Sequence, residues 1–170
     1  MLKSLNDLGY AVEWRVINAA EYGMPQRRRR IFILGYHKST SLYERLKKHD
    51  KISWLDCDGT IAKAFPVAKT NSIQEVELKG DLVEITNNFN KNGKLSPFQN
   101  TGLLIKGKVY TTKTEPNYDG KKTILADVLQ NGEVTPEFFI DEKDKDKWEY
   151  LKGAKTIERK SPNGFVYKYS

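Results

Sequence analysis

The stretch Tyr22 to Tyr36, YGMPQRRRRIFILGY, sets four consecutive arginines directly against a run that is apolar and largely β-branched or aromatic. Arg30 to Tyr36 carries apolar side chains on both alternating faces, which predicts a strand covered on both sides. Just upstream, AVEWRVINA (Ala11 to Ala19) alternates Val12, Trp14 and Val16 with Glu13 and Arg15, the pattern of a half-buried strand. The intervening AAEYGMPQ contains Gly23 and Pro25 and is short, so the two strands are expected to pair antiparallel. Neither looks suited to the edge of a sheet. Guanidiniums beginning so close to a buried strand would need an anion or a fixed polar partner.

The chain has seven arginines against twenty-two lysines, yet four of the seven stand side by side. Arginine offers a planar fork of donors that fits a phosphate or a base edge bidentately, where lysine offers only a point charge. If the strand begins near Gln26, alternation turns Gln26, Arg28 and Arg30 one way and Arg27 and Arg29 the other. The bland alternative is a solvated charge run at a strand end.

Elsewhere the pattern is of short elements. Leu2, Leu5 and Leu8 before Gly9 predict a short helix, and TSLYERLKKHD predicts another with cationic residues in its last turn. From about Ile52 the texture shifts to strand-like runs separated by turn dipeptides, which places a boundary there: 1–51 and 52–170. SIQEVELKG, VEITNNF and GLLIKGKVYTT are the strand candidates, punctuated by Asn92-Gly93, Lys106-Gly107 and Asp119-Gly120. KKTILADVLQNG reads as a short helix or helical turn capped by Thr123, DEKDKDKWEYLKG as a charged helix with Trp148 and Tyr150 packing inward or onto a part outside this chain, and NGFVYKYS as a last strand.

A net charge of +7 favours polyanionic partners without requiring them. A single cysteine, Cys57, excludes an intrachain disulfide framework and fits a reducing cytoplasm. No signal peptide or membrane span is expected. His37 and His49 have no companions at ligand spacing, so no metal site is expected.

The segment EYGMPQRRRRIFILGY resembles the eighth conserved motif of DNA cytosine-5 methyltransferases, whose core is Gln-x-Arg-x-Arg preceded by Gly-x-Pro, and LGYAVEWRVINAAEYG is similar to the stretch leading into it. The resemblance implies that Arg28 and Arg30 hold an extruded cytosine and its neighbouring phosphate, with Gln26 bracing the loop. Arg27 and Arg29 occupy variable positions and are expected at most to touch phosphate. The reaction implied for the whole enzyme is methyl transfer from S-adenosylmethionine to carbon five of a cytosine swung out of double-stranded DNA. That chemistry needs a Pro-Cys nucleophile loop, a glycine-rich donor turn and a Glu-Asn-Val acid segment, and none is in this sequence. Cys57, in WLDCDGT, is an ordinary small residue.

The chain is therefore expected to be an internal fragment, inactive alone, whose missing catalytic domain sits in the same or a separate chain. Its fold class would be α/β: a remnant strand pair of a Rossmann-like methyltransferase sheet (1–51) followed by an incomplete β-rich target recognition domain (52–170), in a cytoplasmic, nucleoid-associated bacterial protein. Within SPFQNTGLLIKGKVYTTK, Gln99 and Asn100 are candidates to pair with adenine, and Lys106 and Lys108 with phosphate or guanine. Phe98, Leu104, Val109 and Tyr110 read as a small core. KTILADVL is similar to the threonine-containing turn that opens the better-preserved half of such regions, which adds Thr123 to the DNA-binding candidates. The competing function is a self-contained basic β-rich nucleic-acid-binding module without catalysis.

Overall fold

The computed structural model describes residues 1–88, 96–152, 157–160 and 166–169. They form two units, Met1–Val128 and Leu129–Ser170.

The first unit is built on a five-stranded antiparallel sheet in the order β2-β1-β4-β5-β3. A short helix α1 (Leu2–Asp7) ends at Gly9, whose φ of 87° supplies the left-handed turn into β1 (Tyr10–Asn18). A 3-10 turn (Ala19–Tyr22) leads to β2 (Arg29–His37), which pairs with β1 from Tyr10↔His37 to Asn18↔Arg29. Helix α2 (Ser41–Lys48) starts where the Thr40 hydroxyl accepts the Tyr43 N–H. After it come α3 (Lys51–Ser53), a π turn (Trp54–Asp58) and α4 (Thr60–Ala64).

Strand β3 (Gln74–Glu77) lies at the far edge. The hairpin β4 (Thr101–Ile105) and β5 (Lys108–Thr112) turns at Lys106-Gly107, where both φ angles are positive, 50° and 73°. β4 pairs with the free side of β1 from Val12↔Leu104 to Arg15↔Thr101. β1 is thus central, and the neighbour on its second side comes from this chain. β2 is the sheet edge, and Arg29 to Phe32 are exposed there, so the expectation that β2 would be covered on both faces and could not end a sheet is corrected.

Two apolar clusters cover the sheet. One face carries Ala11, Tyr36 and Leu103 under Leu46, Trp54 and Leu55, and the other carries Val12, Trp14, Leu104 and Val109 with Leu2, Leu5 and Phe98 packed on them. The core assigned to Leu104 and Val109 is present, with Phe98 and Tyr110 half-buried. Gly102 lies opposite Trp14, and a Cβ there would stand 2.1 Å from the indole Cζ2. Only glycine lets the ring lie flat across the neighbouring strand.

The half-buried reading of β1 is corrected: Glu13 and Arg15, expected in water, are 0% and 1% exposed. The segment 51–66 covers that face and brings neutral partners. The Glu13 carboxylate accepts from the Tyr36 hydroxyl (2.6 Å) and the Trp54 indole N–H (3.0 Å). Arg15 donates to the carbonyls of Leu55 and Phe65.

VEITNNF is also corrected, since Leu82–Asn88 is a helix, α5. Its start is a reciprocal cap: Glu84 N–H donates to Asp81 Oδ1 (2.8 Å), and Asp81 N–H donates to Glu84 Oε2 (3.1 Å). KKTILADVLQNG contains only a 3-10 turn, Leu125–Asp127, and its first amide, Ile124 N–H, is capped by Asp127 rather than by Thr123.

The second unit has a 3-10 turn (Glu142–Asp144) running into α6 (Lys145–Lys152), and a hairpin of β6 (Ile157–Lys160) with β7 (Val166–Tyr169). The charged helix is present, and Trp148 and Tyr150, 41% and 71% exposed, are not buried within this chain, which leaves the second expectation for them, packing onto a part outside it. Asn92-Gly93, Gly153 and Phe165 lie outside the described residues.

A candidate nucleic-acid interface

Chain direction changes between β1 and the edge strand β2, and the loop that does it is held from behind. Gly23 adopts φ 83°, and its own N–H and that of Met24 both return to the Ala19 carbonyl. Its carbonyl accepts the Thr123 N–H at 2.8 Å. A Cβ at Gly23 would lie 2.4 Å from the Lys121 carbonyl oxygen, so glycine is required both by φ and by the close passage of 118–123. Behind the loop, Tyr22 donates its hydroxyl to the Pro66 carbonyl (3.1 Å) and stacks edge-on against Phe65 and Tyr118. Burial, partly offset by Arg15, raises the Tyr22 phenol pKa. The rear of the loop is thereby fixed by packed rings and backbone bonds.

Its front is wet. Gln26 through Arg30 are all exposed. The strand begins at Arg29, with Arg28 contributing only its carbonyl to the Ala19 N–H, so residues 26 to 28 belong to the loop. Alternation therefore separates Arg29 from Arg30 and does not sort the earlier three. Arg30 shares a face with Ile17 and Phe32, and its Nη1 folds back onto the Arg29 carbonyl (2.7 Å). Arg29 shares the opposite face with Asn18 and Val16.

On that opposite face lies a polar pocket of about 400 Å³, and it joins Arg29 with Gln99 and Asn100. Three of the sequence candidates, about seventy residues apart in the chain, thus meet because β4 enters the sheet beside β1. The Asn100 amide is engaged at both ends by Thr114, donating to its carbonyl and accepting its N–H, each at 2.9 Å. Gln99 is exposed, and its backbone is pinned: its N–H reaches Thr111 Oγ1 (2.9 Å) and its carbonyl accepts the Trp14 indole N–H (3.2 Å).

Lys106 and Lys108 are elsewhere. They sit at the β4–β5 turn, beside the amino-terminal end of β1, where Gly107 N–H meets Asn6 Oδ1. The five residues of β4 separate Lys106 from Asn100, six steps or roughly 20 Å at the usual rise. They form a separate basic point near α2, where Lys106 helps to lower the Glu44 pKa after the larger effect of Lys47. Thr123 is placed against the arginine loop through its backbone.

Sequence reasoning missed the buried Glu13 and Arg15, which fasten the segment behind the loop; the aromatic residues of 54–65 were the available signal. Cys57 is exposed, donates to the Ser53 carbonyl (3.3 Å), and has its thiol pKa pushed up by desolvation and then by Asp58. That is the reverse of an activated nucleophile. Among the described residues there is no cluster of His, Cys, Asp or Glu able to hold a metal ion, and no helix long and apolar enough to cross a membrane.

Residues 1–168 match the family described as C-5 cytosine-specific DNA methylase. The chain is similar to Type II methyltransferase M.Sau3AI of Staphylococcus aureus, 36% identical over 173 residues that cover 100% of this chain and 40% of that protein. It is similar to Type II methyltransferase M.MthTI of Methanothermobacter thermautotrophicus, 32% identical over 98 residues, 56% of this chain and 28% of that one. Type II methyltransferase M.HpaII of Haemophilus parainfluenzae is 54% identical over 37 residues, 21% of this chain and 10% of its own. The chain spans less than half the length of these relatives. No solved structure matches it.

Proposed function

Because the chain belongs to the C-5 cytosine-specific DNA methylase family, we propose that it is the part of a DNA cytosine-5 methyltransferase that grips duplex DNA and positions the target cytosine. The observation that carries this is the loop Gly23–Arg30: rigid behind, and exposing Gln26 and four guanidiniums in front. Such a loop can neutralise a phosphate and hold an unstacked nucleotide without first paying to order itself. In this reading Arg28 and Arg30 hold the cytosine and its phosphate, Gln26 braces them, and Arg27 adds charge. Gln99 and Arg29 face DNA from the other side of the sheet, with Asn100 and Thr123 setting backbone positions. Lys106 and Lys108 reach a more distant phosphate. Residues 1–51 then belong to the catalytic domain and 52–170 to target recognition, the two joined through the β1–β4 pairing. The partners are double-stranded DNA and the remaining catalytic part, in the bacterial nucleoid.

Methyl transfer itself is outside this chain's means. S-adenosylmethionine, the donor expected for the family, is poorly matched by the apolar cavity among the described residues. This cavity, of about 740 Å³, is walled largely by apolar groups including Trp14, Ile31, Ile33 and Phe98, with no carboxylate for a ribose and no glycine-rich turn among its lining residues. The chain alone is accordingly expected to bind DNA in a salt-dependent way and to transfer no methyl groups.

The test uses the complete gene product with sequencing of methylated cytosines. Arg30→Ala should lower turnover far more than nonspecific duplex binding, whereas Arg27→Ala should mainly reduce the salt slope of binding, by about 0.9 per lost phosphate contact. Methylation by the 170-residue chain alone, or equal effects of the two substitutions, would overturn the reading. Exposure of the arginine run also suits a self-contained binding module. That alternative requires a gene product that binds DNA and never methylates it.

A further inference from the structure

Resting on the recognition reading above, we infer that the polar pocket on the Arg29 face is a base-reading site, in which Arg29 and Gln99 together contact the edge of a single nucleobase pair. The two residues then specify sequence, and Arg29 differs in kind from Arg27.

The composition of the pocket argues against a phosphate. Its charged lining is Arg29 and Lys113 against Glu21 and Glu115, so its formal charge balances. A phosphate there would meet two carboxylates with no excess of cations, while a base edge is neutral and presents both donors and acceptors. The lining also includes Val16 and Pro116, and a volume of about 400 Å³ lies within the usual size of small-ligand pockets.

Most of the polar lining is already spent. Lys113 Nζ pairs with Glu115 at 3.2 Å, Asn18 donates to Glu21 at 3.2 Å, and Asn100 is committed to Thr114. What remains unengaged by other described side chains is one guanidinium and one primary amide, on Arg29 and Gln99. These are the two side-chain types whose paired donors and acceptors match guanine and adenine edges bidentately. Both are held at their roots: Arg29 by its place in the β1–β2 ladder, Gln99 by the Trp14 and Thr111 bonds to its backbone. A reading group on a rigid element discriminates better than one on a mobile loop.

The test binds the complete gene product to duplexes of randomised sequence and sequences the retained fraction, for the wild type, Arg29→Ala, Arg29→Lys, Gln99→Ala and Arg27→Ala, each checked by circular dichroism. Arg29→Ala and Gln99→Ala should lose the preference at one shared position by about ten-fold or more, leaving other positions unchanged. Arg29→Lys keeps the charge and the fold but loses the fork, and should lose the same preference. Arg27→Ala should retain every preference and lower only the salt slope. Full preference in Arg29→Ala or Arg29→Lys, or losses at different positions for Arg29 and Gln99, would overturn the inference while leaving the recognition reading intact. A wild-type protein with no base preference anywhere would overturn both.

Discussion

Replacing Gly102 with alanine should be among the more damaging single-methyl additions in the first unit. The new Cβ would fall 2.1, 2.3 and 2.7 Å from Cζ2, Cη2 and Cε2 of Trp14, where carbon atoms normally rest about 3.5–4.0 Å apart. The ring is only 4% exposed, edge-on to Phe98 at 5.8 Å, and tethered by its N–H to the Gln99 carbonyl, so yielding toward the cavity it lines breaks that bond and that packing. Overpacking of this kind costs about 1–3 kcal/mol, and losing the indole hydrogen bond adds about 1. The expected total is roughly 2–4 kcal/mol, read as a lower urea midpoint by circular dichroism. A Trp14→Phe background withdraws the benzo ring that carries the clashing atoms. There Gly102→Ala should cost at least about 1 kcal/mol less than in the wild type, a coupling a double-mutant cycle resolves. A cost below about 0.5 kcal/mol, or the same cost in both backgrounds, would refute the claim that Trp14 imposes glycine at this position.

Burial, then the hydrogen bond to Glu13, raises the Tyr36 phenol pKa well above its ordinary value. A raised folded-state pKa gives stabilisation that is complete below the ordinary tyrosine pKa of about 10 and disappears as pH rises through the folded value. The urea midpoint should therefore fall more steeply above about pH 10 in the wild type than in Tyr36→Phe, and equal slopes would show that Tyr36 is not the group concerned. Cys57, with its thiol raised by desolvation and Asp58, should react with iodoacetamide more slowly than free cysteine at neutral pH, and Cys57→Ala should leave methylation by the complete gene product unchanged. Asn100→Ala removes two bonds to Thr114, a residue only 5% exposed, and should cost about 1–3 kcal/mol in urea unfolding; a neutral result would mean water replaces the amide.

Much of the local architecture could be read directly. The leucine spacing before Gly9, the antiparallel pair around Gly23-Met24-Pro25, and the turn at Lys106-Gly107 each follow from signals local in the sequence. The misread helix α5 shows where two local signals compete. Alternation in VEIT suggested a strand, but Asp81 and Glu84 stand at capping-box spacing, and two reciprocal side-chain-to-backbone bonds fix the first turn as helical. For the site, the glycine, proline, glutamine and arginine pattern located the loop. The meeting of Arg29 with Gln99 was not legible, because it depends on which strand fills the open side of β1.

The same dependence explains the polar face of β1. Alternation reports that successive side chains point to opposite faces; it does not report what covers each face. The half-buried expectation for β1, resting on alternation alone, put Glu13 and Arg15 on the open face, and burying such charges is costly. The fold offsets part of that cost with neutral partners, phenol and indole donors for one carboxylate oxygen and two main-chain carbonyls for the guanidinium, all from residues 36–65, and leaves Glu13 Oε1 and Arg15 Nε without a partner among the described residues. These bonds tie the strand before the arginine loop to the segment that backs it, since Phe65 and Pro66 receive Arg15 and Tyr22 respectively. The charges that looked like surface residues are thus what holds the rear of the loop still, and the charges that looked adjacent to a core, Arg27 to Arg30, are the ones left in water. A rigid back and a solvated cationic front are both needed if the loop is to meet DNA already in shape.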